Sequence, residues 1–202
     1  MPVKKNGKKR KYDEIRPAGN NEKGTSISRR AETVEKREEF GHWEMDTVVG
    51  KKGTKQVLLV LTERKTRYEI VRKIKSKSQY CVVKELDKIE RKMGAKKFRE
   101  TFKTITCDNG VEFLDMDAME KSYYNKVMKR TKVYYCHPYN ACERGSNENA
   151  NKLIRRWIPK GSHISKFTDK YIQDLQDWIN TYPRKIFDYL SSQEYKELVL
   201  VS

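Results

Sequence analysis

The sequence predicts an α/β fold: a mixed five-stranded sheet, its three antiparallel strands first, flanked by helices. Three observations carry this. Strand-like segments follow one another between residues 43 and 74, separated only by short turns. Beyond them, helical apolar spacing alternates with two more strand-like segments, in the order β-β-β-α-β-α-β-α-α. The length of 202 residues suits one domain with a real core plus a tail, and no internal repeat divides it.

Residues 1–30 read as a disordered basic tail or linker, leaving 31–202 as the folded domain with a C-terminal helix. Six of the first eleven residues are Lys or Arg, and Gly7, Pro17, Gly19 and Gly24 break up any regular pattern across this stretch. "HWEMDTVVGKK" then has the composition of a strand ending at Gly50. Lys55–Leu61 holds five successive apolar residues, as suits a strand covered on both faces. After the turn "ERKT", the segment "RYEIVRKI" alternates like a returning antiparallel strand.

A helix is predicted from Ser78 to Met93, where Val82, Val83, Leu86, Ile89 and Met93 recur at three- and four-residue steps before Gly94. "FKTITCDNG" is a strand running into an Asn-Gly turn. Ala118–Met128 is expected to be helical, and "KVYYC" to be the fifth strand. Gly145 and Ser146 open a helix that runs to Ile158 and is stopped by Pro159 and Gly161. A last helix covers Asp169–Asn180, and the chain turns at Pro183.

The charge narrows the class of partner. With 45 Lys+Arg against 28 Asp+Glu, the formal charge is +17 and the pI near 9.6. Such an excess suits a polyanion, because each cation placed on a phosphate releases condensed counterions. Mean hydropathy is −0.95, and no apolar run approaches the roughly 18 residues that a membrane span needs. A cytoplasmic, nucleoid-associated protein without a membrane partner is the expectation. Cys81, Cys107, Cys136 and Cys142 form no Cys-x-x-Cys pair and read as reduced thiols. Cys136, His137 and Cys142 offer too few ligands for a zinc site.

Three carboxylates look out of place. Asp46 lies among apolar residues of a central strand, where burial costs desolvation unless a partner meets it. Asp108 closes a strand just before Asn109-Gly110, a position that also suits a turn cap. Glu148 stands in the first turn of a helix, where the dipole favours an acid. It shares one helical face with Asn151, Lys152 and Arg155. Ala150, Leu153, Ile154, Trp157 and Ile158 lie on the face that must pack against the sheet. Each acid alone has an ordinary explanation. Together, one on a first strand, one at a later strand end and one in a helix start, they could gather divalent ions such as Mg²⁺, which prefer oxygen ligands, beside a basic face able to hold a phosphodiester.

"FGHWEMDTVVG", "TCDNGVEF", "YYCHPYNACERGSNENANKLIRRWIPKG" and "INTYPRKIFDYL" resemble, in that order, the catalytic core of bacterial insertion-sequence transposases of the insertion-sequence-thirty family. The resemblance spans about Gly24 to Leu190. It implies a ribonuclease-H-like fold shared with retroviral integrases. It also implies an Asp-Asp-Glu triad at Asp46, Asp108 and Glu148 that binds two Mg²⁺ or Mn²⁺ ions. Arg144, Asn147, Asn151, Lys152 and Arg155 match motif positions expected to touch DNA, with His137 and Tyr139 as cleft neighbours. The implied partners are transposon inverted repeats and target DNA, acted on by a homo-oligomer. The implied chemistry is metal-dependent strand cleavage and strand transfer, without a covalent protein intermediate.

Two features depart from the family pattern. The interval from Asp108 to Glu148 holds 39 residues, longer than usual, whereas Glu143 would shorten it to 34. Glu148 is preferred because it sits in the local motif and on the basic helical face. The helix-turn-helix region expected upstream also has no counterpart in residues 1–40. A truncated DNA-binding relic, acting as an inhibitor of intact transposase, and a basic RNA-binding protein are the rival expectations.

Overall fold

A computed structural model of the chain describes residues 24–137 and 145–201. Beside the middle strand of its sheet lies β2 (Val57–Glu63), in which all seven residues are buried. Val57, Leu59 and Leu61 join the core on one face of the sheet, and Leu58 and Val60 the core on the other. A strand that must satisfy two apolar layers reads as a continuous aliphatic run, which is why its sequence does not alternate. β1 (His42–Val49) pairs antiparallel with β2, and β3 (Glu69–Ile74) returns antiparallel on its far side. β4 (Thr104–Cys107) and β5 (Lys132–Tyr135) add on parallel, giving the order β3-β2-β1-β4-β5. The five expected strands are all present.

On one face, α2 (Gln79–Met93), α3 (Ala95–Thr101) and α4 (Met116–Glu120) cover the sheet. The Ser78 hydroxyl accepts from the Cys81 N–H and caps the start of α2. At its other end Gly94, with φ of +83°, turns the chain straight into α3. That helix was not anticipated, because its seven residues carry one buried apolar side chain, Phe98. Phe98 stacks on Phe102 at 4.5 Å, and Phe102 on Trp43 of β1 at 4.6 Å. This aromatic column ties the short helix to the sheet.

The opposite face is covered by α5 (Gly145–Trp157) and α6 (Asp169–Thr181). Ala150, Leu153, Ile154 and Ile158 pack on Val48, Leu58 and Val60, as the helical spacing predicts. α7 (Ser192–Val201) extends the chain beyond Pro183 and packs on α6. A short α1 (Glu32–Lys36) precedes β1.

Two expectations need correction. The helix expected over Ala118–Met128 is only α4. From Lys121 the chain folds back on itself, with a bridge between Lys121 and Lys129. The cause is Arg130, fully buried, which donates to Asp87 at 2.6 Å and to Glu90 at 3.1 Å. Drawing that guanidinium inward requires a reversal of the chain and leaves Tyr124 and Val127 exposed. Second, residues 24–30 are not tail. Thr25 O accepts from Tyr135 N at 2.9 Å, Ile27 is buried, and Arg30 donates to Thr106 Oγ1 at 2.8 Å. The segment lies along β5 through a parallel bridge between Ser26 and Tyr135, and Arg30 reaches on to Thr106 of β4. The basic composition of residues 1–23 hides that change.

α6 also closes the free side of β3. The Asn180 amide accepts from Glu69 N at 2.8 Å and donates to Glu69 O at 2.9 Å, and Gln176 Oε1 accepts from Val71 N at 3.0 Å. Among the described residues, no helix is long and apolar enough to cross a membrane.

Candidate metal and nucleic-acid site

The parallel pairing of β1 with β4 ends at Glu44 opposite Thr106. Two residues further along each chain stand Asp46 and Asp108, at matching levels where the two chains cease to pair. Outside the carboxyl ends of strands, at such a switch in connection, α/β sheets hold their ligands. Asp46 lies on the same face of β1 as Glu44 and Val48, the face covered by α5.

Both Asp46 oxygens are engaged. Oδ1 accepts from Thr47 N at 2.8 Å, and Oδ2 accepts from Asn151 Nδ2 at 3.0 Å. One partner that half-burial demands is thus an amide of α5. Asn151 Oδ1 is itself buried without a hydrogen-bond partner. Asp108 Oδ1 accepts from Gly110 N at 2.9 Å, and Asn109 Nδ2 donates to Cys136 O at 2.9 Å. Those two bonds fix the turn after β4 against the end of β5.

Helix α5 runs alongside β1. Asn147 N donates to Glu44 Oε2 at 3.3 Å, Asn151 meets Asp46, and Arg155 donates to Val49 O at 2.9 Å. Glu148 lies one turn before Asn151 on this stripe, and both Glu148 and Lys152 are exposed. Arg155 is half-buried, and burial pulls its pKa below the usual guanidinium value. Its Nη1 is enclosed without a partner, a donor with a charge to place. Asn147 differs from expectation. It is buried at the start of the helix, and its backbone, rather than its side chain, makes the bond to Glu44.

The exposed His137 ring meets Ser28 Oγ at 2.8 Å beyond the end of β5. Tyr139, Glu143 and Arg144 lie outside the described residues. The acids do not close into a group: among the described residues, no three His, Cys, Asp or Glu side chains are gathered so as to hold a metal. Asp46 and Asp108 are instead turned onto their own backbone and amide neighbours.

Two acids of the site went unread in the sequence. Glu44 is fully buried, paired to the buried Arg64 at 2.6 Å, and Arg64 also reaches Glu35 at 3.2 Å. This pair supports the strand that carries Asp46 and receives the first turn of α5. Its signal was parity: Glu44 and Asp46 are two residues apart and therefore on one face. The second is Glu112, 2% exposed, just after the Asp-Asn-Gly turn. Its Oε1 accepts from Thr47 Oγ1 at 2.7 Å and lies 3.3 Å from Lys77 Nζ.

No family model matches the sequence. Over 174 residues it is 37% identical to the transposase for insertion sequence element IS4351 of Bacteroides fragilis, covering 86% of this chain and 50% of that protein. It is 35% identical over 187 residues to a probable transposase for the element IS1161 of Streptococcus salivarius, covering 91% and 49%. With transposase InsI for element IS30C of Escherichia coli K12 it shares 30% over 174 residues, covering 86% and 42%. The chain thus spans about half the length of these curated relatives. In three dimensions it resembles a chain of the simian T-cell lymphotropic virus intasome solved in complex with PP2A regulatory subunit B56 gamma. The TM-score is 0.52 at 17% identity, covering 69% of this chain and 48% of that one. That likeness concerns the fold alone, a mixed five-stranded sheet flanked by helices, consistent with a ribonuclease-H-like architecture.

Proposed function

We propose that this chain, which belongs with the IS30-type insertion-sequence transposases, is a catalytic domain performing metal-dependent DNA cleavage and strand transfer at insertion-sequence ends. One observation carries the reading. Asp46 and Asp108 stand at matching levels of neighbouring strands, beside the helix bearing Glu148, Asn151 and Arg155.

The donor set fits hard divalent ions. It consists of carboxylates, and the unpartnered Asn151 Oδ1 adds a neutral oxygen beside Asp46. Asp46, Asp108 and Glu148 would hold two Mg²⁺ or Mn²⁺ ions, which supply a low-pKa water or hydroxyl and neutralise charge on the scissile phosphate. The chain's own residues position and bind. Asn151 orients the Asp46 carboxylate through its amide. Arg155, anchored on Val49 O and half-buried, and the exposed Lys152 nearby on the helix would supply cationic charge to the phosphates. Arg144 and Tyr139 belong to the same proposed DNA surface by motif, and His137 borders it. Asn147, being buried, is left out of it.

In the first step, water oxygen bonds to phosphorus and the P–O bond to the 3′ oxygen breaks, leaving a 3′-hydroxyl. In the second, that hydroxyl attacks a phosphodiester of another strand and displaces its 3′ oxygen. The protein contributes placement and charge, and no protein atom bonds to DNA. Joining two ends calls for at least two copies of the chain in the active assembly.

The test is nicking of inverted-repeat DNA with Mg²⁺. Cleavage by the wild-type chain, lost in Asp46→Asn and Asp108→Asn while DNA binding persists, is the expected result. Cleavage that survives both changes refutes the assignment. A second reading, a DNA-binding chain without catalysis, is favoured by one observation: among the described residues, the acids are not gathered into a metal-holding group. Binding to the same DNA without metal-dependent cleavage would decide for it.

A further inference from the structure

Gly110 has φ of −61° and ψ of 143°, backbone that any residue adopts. A side chain there would press on two carboxylate ends. A Cβ on Gly110 would lie 2.7 Å from Glu112 Oε2 and 2.8 Å from Asp108 Oδ1. Real Cβ atoms essentially never come within 3.0 Å of a non-bonded heavy atom, so one of the two carboxylates would have to shift. The glycine therefore keeps open a gap faced by two carboxylate oxygens.

Glu112 cannot be explained by the fold alone. It is 2% exposed, and only Oε1 is provided for, by the Thr47 hydroxyl and the Lys77 ammonium. Oε2 is buried with no hydrogen-bond partner. A carboxylate oxygen taken out of water needs a donor or a cation. Lys77 reaches the other oxygen and does not fill the gap. The ligand chemistry that two hard oxygens on a tight turn suit is a divalent ion completing its shell with water or phosphate.

We propose that Asp108 and Glu112 form a divalent-cation site across Gly110, with Glu112 as a carboxylate ligand of the ion that Asp108 holds. This deepens the metal-centred reading above and rests on it. Glu112 also links the site's halves, because the hydroxyl that it accepts from belongs to Thr47, the residue after Asp46. When an ion enters, Lys77, whose side chain is 43% exposed, has room to swing toward solvent.

The test is Mn²⁺ titration of the whole chain, with free ion counted by electron paramagnetic resonance. Glu112→Gln is expected to weaken Mn²⁺ binding by about tenfold or more, the scale on which changes around a metal site act. Gly110→Ala should act in the same direction, because its methyl fills the gap while both carboxylates remain. Lys77→Ala should tighten binding by removing the competing cation. Melting curves without metal establish that each variant is folded, and Gly110→Ala decides if Glu112→Gln is not. Mn²⁺ affinity unchanged in Glu112→Gln and Gly110→Ala, but lost in Asp46→Asn and Asp108→Asn, overturns the Glu112 site alone. A wild-type chain that takes up no Mn²⁺, or variants of all four positions that bind like wild type, overturns the metal-centred reading with it.

Discussion

Glu69 is the first residue of β3 and is 1% exposed. Its Oε2 accepts from the Thr62 hydroxyl at 2.7 Å, which lowers its pKa only in part. Burial dominates, pushing the carboxyl from its ordinary 4.5 to about 8, with Glu44 and Glu63 adding to the rise and Arg184 opposing it. The sign comes from proton linkage. Between those two values the folded chain holds a proton that the unfolded chain has released, so stability is fully present below pH 4.5 and is lost as pH rises through 8. At 1.36 kcal/mol for each pH step, the full loss is about 4 to 5 kcal/mol, to order of magnitude. Glu69→Gln keeps an acceptor for Thr62 and cannot ionise. The variant should match wild type near pH 5 and exceed its stability by several kcal/mol at pH 9, measured as the difference between urea unfolding curves. A difference between the two proteins that stays constant from pH 5 to 9 would refute the assignment of that loss to Glu69.

Three more outcomes rest on named contacts. Arg155→Ala should weaken DNA binding and reduce the slope of log affinity against log salt by about 0.9, one phosphate contact; an unchanged slope means that Arg155 meets no phosphate. Arg130→Met should cost about 3–5 kcal/mol in urea unfolding, because Glu90 is left buried without its guanidinium. A loss below about 1 kcal/mol would show the inward-drawn cation to be dispensable. Glu148→Gln should abolish Mg²⁺-dependent nicking while Glu143→Gln keeps it, and the reverse pattern would move the third ligand to Glu143.

The sheet was readable because β2 obeys one rule: where a strand is sandwiched between two apolar layers, as from Val57 to Leu61, its residues are aliphatic on both faces. The helices were readable where their apolar spacing is long, as in α2, α5 and α6. α3 was missed because an aromatic column, rather than a helical stripe, holds it. The segment after α4 was misread because a buried ion pair, which leaves no periodic trace, reverses the chain there. At the site, the position of Asp46 derives from a polar residue inside an apolar strand, that of Asp108 from a strand end, and the shared face of Asn151 and Arg155 from helical steps. No spacing reveals where a carboxylate turns. Asp46 turns to an amide, Asp108 to its own loop, and Glu112 to Thr47 and Lys77, and contacts between residues far apart in sequence set the first and the last of these.

The amides that α6 lends to Glu69 and Val71 have a consequence for assembly. A border strand whose N–H and C=O groups are already bonded to side chains offers no ladder for a neighbouring molecule to continue. At Glu69 and Val71 a second copy of the chain finds no free backbone to extend the sheet, which disfavours stacking of strand on strand on that flank.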